Sequence, residues 1–124
     1  MKRFSLSKNK RLADNKQFKA VLACKIFARN DLLTLYVAEN DCGHPRLAVS
    51  VGKLCGGAVV RNRLKRLLRE AFRQNQEHIP ADLDYLLMIS PGWQEKYQLS
   101  KINYQLVKES FFELVERLRN KTGR

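Results

Sequence analysis

Hydrophobic and polar positions along the 124-residue chain alternate between two periods. Residues 1–13 hold no sustained apolar period and are expected to form a flexible basic arm. "DNKQFKAVLA" is helical in period: Phe18, Val21 and Leu22 fall on one face. Asp14 can cap this helix, with Gln17 at the reciprocal position. A less regular strand around Lys25–Arg29 precedes the β-rich run "LLTLYVA", Leu32 to Ala38. Glu39 to Pro45, "ENDCGHP", is a turn cluster. "RLAVSVG" then alternates strictly. Leu47, Val49 and Val51 face one way, and Ala48, Ser50 and Gly52 the other. Such a strand offers a core on one side and a small-residue surface on the other. After Gly56 and Gly57 the helical period returns in "AVVRNRLKRLLREAFR". "DYLLMIS", Asp84 to Ser90, is a continuous apolar run and reads as a buried strand. Pro91, Gly92 and Trp93 turn the chain, with Trp93 as a loop anchor. Ser100 is the expected cap of a last helix striped by Tyr104, Val107, Phe111, Leu114, Val115 and Leu118. The order is αβββαβα: one α+β domain over residues 1–124, with no internal repeat and no linker.

Charge changes this picture. The chain carries 24 Lys and Arg against 12 Asp and Glu, a formal charge of +12. Residues 1–20 hold seven basic residues and one acidic, and residues 53–73 hold the same. The remaining charges balance, so the whole excess lies in two segments. A compact domain with this excess repels itself, which points to a polyanionic partner: nucleic acid or an acidic membrane.

The second segment shows how that charge is presented. On a helical wheel Val60, Leu64, Leu67, Leu68 and Ala71 share one face. Asn62, Lys65, Arg66, Arg69 and Arg73 occupy the opposite face, with Arg63 and Arg61 at its flanks. A merely solvated helix would interleave carboxylates three or four positions away, but Glu70 is the only one available, to Arg66 or Arg73. Arginine outnumbers lysine, as bidentate phosphate contact favours. A membrane surface fits less well, because the apolar face is needed for the core and no Trp stands among the basic residues. RNA or DNA is therefore the expected partner, with Lys53 extending the basic segment.

Other chemistries find little support. His44 lies in a Gly-His-Pro turn and His78 just before Ile79-Pro80, so both read as surface residues and not as an acid–base pair. Asp82 and Asp84 are expected to solvate the loop before a strand. Cys24, Cys42 and Cys55 form no C-x-x-C pair, which fits reduced thiols in a cytoplasmic protein, with Cys55 a small buried hydrophobe. The segment "MKRFSLSKNKRLADN" lacks the apolar core of a signal peptide, and no run approaches a membrane span. Size and charge alone would also suit a non-catalytic RNA-binding protein of the ribosomal type. Asn62 argues for something more specific: an amide between two arginines adds no electrostatic affinity, so it suggests a defined hydrogen-bond geometry.

"GGAVVRNRLKRLLREAFR" resembles the signature of the bacterial ribonuclease P protein component, an RNR–hydrophobic–KR run entering a helix. "RLAVSVGK", "RLADNKQF" and "DYLLMI" resemble the family's flanking segments, so the likeness covers most of the chain from Arg11 to Leu118. It implies an α/β sandwich, a four-stranded sheet with a left-handed β-α-β crossover through the basic helix. It also implies an RNA partner, the catalytic RNA of ribonuclease P, which cleaves with magnesium while the protein holds no cofactor, no obligate protein partner and no membrane. The likeness implies RNA contact by Lys53, Arg61, Asn62, Arg63, Lys65, Arg66, Arg69 and Arg73. It implies a cleft for the 5′ leader of precursor tRNA formed by Phe18, Leu22, Tyr36, Ala48 and Ser50. The chain departs from the family pattern at Leu22, where a second cleft aromatic is common, and at Gly52, Leu54, Gly57 and Ser90.

Overall fold

The structure is a computed structural model and describes residues 15–40, 43–52 and 55–122. Helix α1 (Asn15–Ala23) leads into a sheet of β1 (Ile26–Arg29), β2 (Leu33–Glu39), β3 (Arg46–Ser50) and β4 (Leu83–Ile89). Helix α2 (Ala58–Gln74) connects β3 to β4, and α3 (Tyr104–Thr122) closes the chain. The αβββαβα order is as the periods indicate. Two features of α1 lie outside the described residues: its expected cap, Asp14, and the basic arm before it.

The strand order is β1-β2-β4-β3. β1 and β2 pair antiparallel, as do β2 and β4, while β3 and β4 pair parallel. Parallel neighbours need a crossover, and α2 supplies it. The β1–β2 hairpin is fixed by Asn30, whose Oδ1 accepts from the Leu32 and Leu33 amides at 3.0 and 2.8 Å.

Two apolar clusters hold the layers. The larger lies between the sheet and the α2–α3 layer and contains Leu33, Leu35, Leu47, Tyr85, Leu68, Phe72, Phe111 and Leu114. The smaller lies on the other face, where Val21 of α1 meets Ala38 and Leu86. Val49 packs against the larger cluster and Ala48 against the smaller, so the alternation expected of β3 is the one observed. Trp93, 3 % exposed, belongs to the larger core.

Two local expectations are corrected. Ser100 does not cap α3; it lies in a 3-10 turn, Leu99–Lys101, and the Asn103 side chain accepts from the Leu106 amide at 2.9 Å instead. Asp84 does not solvate a loop. It is buried in β4 and takes a bidentate ion pair from Arg46, with Nε and Nη2 2.8 and 2.7 Å from its oxygens. Asn40 Nδ2 donates to the same carboxylate at 2.8 Å.

Ser90 has a structural role. It is buried, its amide donates to Leu32 O, and its hydroxyl donates to Asn30 O at 2.9 Å while lying 2.9 Å from Thr34 Oγ1. The end of β4 is thereby tied to the β1–β2 turn.

Candidate nucleic-acid interface

Gly56 sets the direction in which α2 leaves β3. Its φ of +140° is closed to other residues, and a Cβ there would stand 3.0 Å from Val60 Cβ. Gly57 then begins the helix with no side-chain cap. The helix buries Leu64, Leu68, Ala71 and Phe72 and leaves Val60 and Leu67 half-buried. The buried stripe is thus turned toward the Arg61 edge relative to the wheel drawn from the sequence. Arg61 is half-buried in consequence, and its Nε is enclosed without a hydrogen-bond partner.

The cations of α2 divide into two groups. Arg63 Nη2 donates to the Ile102 carbonyl at 3.1 Å, and Arg73 forms a two-point pair with Glu70 at 2.9 and 2.6 Å. Among the described residues, Arg61, Lys65, Arg66 and Arg69 have no ion-pair partner. Asn62, Arg66 and Arg69 are exposed, and Lys65 is half-buried. Lys53 lies outside the described residues. Hydrogen bonding from Arg73 holds the Glu70 carboxyl below its ordinary pKa, with smaller help from Gln74 and Arg66. A lowered carboxyl contributes its stability above the ordinary carboxylate range and loses it as pH falls through the lowered value. At neutral pH, then, Glu70 is charged and engaged chiefly by Arg73, and among the described residues no carboxylate forms an ion pair with the five other cations of α2.

The opposite face of the sheet is different in kind. Strand register places Phe27, Tyr36, Leu86 and Ala48 in one row across the four strands. The adjacent row holds Arg29, Thr34, Met88 and Ser50. Helix α1 covers Leu86 and Ala38 through Val21, while Leu22, Tyr36, Ala48 and Met88 border this cluster and stay half-buried. The result is a shallow apolar trough beside α1. At the end of β3 and β4 it meets a cavity of about 500 Å³, lined among others by Ser50, Cys55, Met88, Ser90 and Trp93. Cys55 is half-buried there.

Leu22, Tyr36 and Ala48 are therefore brought together as expected, with Ser50 one row away. Phe18 lies on α1, but its side chain is outside the described part. The α2 cations form a second surface on the far side of the sheet. Two residues of the trough escape a reading by period. Met88 is hidden in the uniform run of β4. Phe27 stacks on Tyr36 with ring centroids 5.0 Å apart, and the alternation of a four-residue strand is too short to signal it.

His44 Nδ1 lies 3.4 Å from Pro45 O, and the His78 ring stands edge-on to Phe112. Among the described residues no group of three or more His, Cys, Asp or Glu side chains is placed to hold a metal. No described helix is long and apolar enough to cross a membrane.

Residues 6–119 match the ribonuclease P protein family. A ribonuclease P protein component from Brevibacillus brevis is 40 % identical over 88 residues, covering 70 % of each chain. One from Alkaliphilus metalliredigens is 26 % identical over 114 residues, 92 % of this chain and 97 % of its own. Among solved structures, the ribonuclease P protein of Thermotoga maritima in complex with 1-(4-fluorophenyl)-2-thiourea superposes with a TM-score of 0.78. It is 26 % identical and covers 86 % of this chain and 98 % of its own. The Staphylococcus aureus ribonuclease P protein shares the fold, with a TM-score of 0.72.

Proposed function

The chain belongs to the ribonuclease P protein family and is the protein subunit of that tRNA-processing ribonucleoprotein, and from this premise we propose how its two surfaces divide the work. The cationic face of α2 holds the RNA subunit. Asn62, Lys65, Arg66 and Arg69 make the contacts, flanked by Arg61, Arg63 and Arg73, and Lys53, which precedes the helix in the sequence, adds to them. The trough of Leu22, Tyr36, Ala48 and Ser50, with Phe18 on α1, takes the single-stranded 5′ leader of precursor tRNA. The RNA subunit performs the cleavage and binds the magnesium it requires, and the protein contributes binding and positioning in the cytoplasm. The observation that supports this reading best is the set of α2 cations with no carboxylate partner among the described residues. Packed cations of one sign oppose folding unless a polyanion screens them.

The test is the salt dependence of binding to the ribonuclease P RNA subunit. Each phosphate contact to a duplex contributes about 0.9 to the slope of log affinity against log salt. Arg66→Gln with Arg69→Gln is expected to weaken binding and reduce that slope by roughly 1.8. Both residues are exposed and have no ion-pair partner among the described residues, so the free protein should melt no lower than the parent, and slightly higher at low salt as two mutually repelling charges are removed. Equal slopes for parent and variant would remove these arginines from the interface.

A further inference from the structure

Phe27 is 37 % exposed, one of two large hydrophobic side chains left open among the described residues. It stands on β1, the edge strand, and stacks on Tyr36 of β2 at an interplanar angle of 26°. Strand alternation puts Arg29 on the same face of β1, and its exposed side chain has no partner among the described residues. Lys121 of α3 reaches the same edge: its Nζ lies 5.7 Å from the Phe27 ring centroid and donates to the Phe27 carbonyl at 2.8 Å. An aromatic ring open to solvent, continuous with the trough and set between two exposed cations, has the makings of a single-strand RNA platform. Rings stack bases without regard to sequence, and cations hold the phosphates between them.

We propose that β1 extends the single-stranded RNA path beyond Tyr36, with a nucleobase stacking on Phe27 and the neighbouring phosphates held by Arg29 and Lys121. Lys121 is exposed, so its ammonium can move from the ring to a phosphate as the base arrives. The proposal rests on the leader reading given above and assigns it a further residue.

The experiment uses holoenzyme reconstituted with its RNA subunit and precursor tRNAs whose leaders are lengthened stepwise, with mature tRNA as reference. Phe27→Leu keeps an apolar side chain on β1 and removes the ring. It is expected to weaken binding of long-leader precursor roughly 5- to 10-fold, the low end for losing one base stack. Short-leader precursor, mature tRNA and the melting temperature should be unchanged. Phe27→Trp should restore full affinity, and Arg29→Gln should lower the salt slope for long leaders by about 0.7, the single-strand value for one contact. Equal losses at every leader length, or a loss that follows a lowered melting temperature and is not restored by Phe27→Trp, would overturn the proposal. Tyr36→Ala separates the two levels. If it abolishes leader discrimination and Phe27→Leu does not, β1 falls and the trough stands. If the parent itself binds all leader lengths equally, the leader reading falls with it.

Discussion

Asp84 and Asp82 are two positions apart and look alike in the sequence, yet their environments differ completely. Asp82 is exposed, whereas Asp84 is 6 % exposed and sits opposite Ala38 and Arg46 in the sheet register. Three hydrogen bonds from Arg46 and Asn40 compensate its burial. Removing one partner of a buried pair leaves the other uncompensated, which costs more than the pair itself contributes. Asp84→Ala is expected to destabilise the protein by about 3 kcal/mol, the low end for such a break, since Arg46 keeps some solvent contact. Arg46→Met combined with Asp84→Leu should cost clearly less than Asp84→Ala alone. Urea denaturation reads both. A loss below about 1 kcal/mol for Asp84→Ala would place the pair with ordinary surface ion pairs. The sequence could not reveal this, because "LDYLLMI" carries no alternation and a strand's register is set by its partners.

At the scale of elements, the helices and strands were legible and their ends and rotations were not. The α3 stripe holds: Val107, Phe111, Leu114, Val115 and Leu118 are all in the core. Its start was misplaced because Ser100 and Asn103 are both acceptable capping residues, and the 3-10 turn at Leu99–Lys101 settles between them. Asn103→Ala is therefore expected to cost about 1 kcal/mol, and Ser100→Ala less than about 0.5 kcal/mol. Thermal melts of the two variants decide it, and the reverse order would return the cap to Ser100. The rotation of α2 has a similar origin. The wheel drawn from the sequence leaves Phe72 off the apolar face, but Phe72 is large, is buried and packs edge-on to Tyr85 at 5.7 Å, which draws the helix toward that side. Arg61 is carried partly under cover as a result. The trough was half legible: the small residues of β3 marked one wall, whereas the Phe27–Tyr36 stack requires the β1–β2 register.

For the molecule as a whole, the distribution of charge was readable from the sequence and the strand order was not. The hydrophobic pattern marks β4 as buried on both faces, and so as an inner strand, but it does not say that β2 and β3 are its neighbours. The net charge of +12 has a further consequence at this scale. In the free protein the α2 cations repel one another, and in the proposed complex phosphates would neutralise them. Salt therefore acts in opposite directions on the two states. Raising chloride salt from about 0.05 to 0.5 M shortens the screening length to well under about 10 Å. The melting temperature of the RNA-free protein should rise over that range as self-repulsion is screened. Affinity for the RNA subunit should fall steeply over the same range as counterion release loses its drive. Arg69→Glu sharpens the comparison. A carboxylate there faces Lys65 and Arg73 one turn away, each pair adding about 0.2–0.5 kcal/mol to the helix. The variant should melt higher than the parent at low salt, respond less to added salt, and bind RNA more weakly. A parent melting temperature that is flat or falling with salt would mean that the cations of α2 are already compensated within the fold, and the argument for a polyanionic partner would lose its energetic basis.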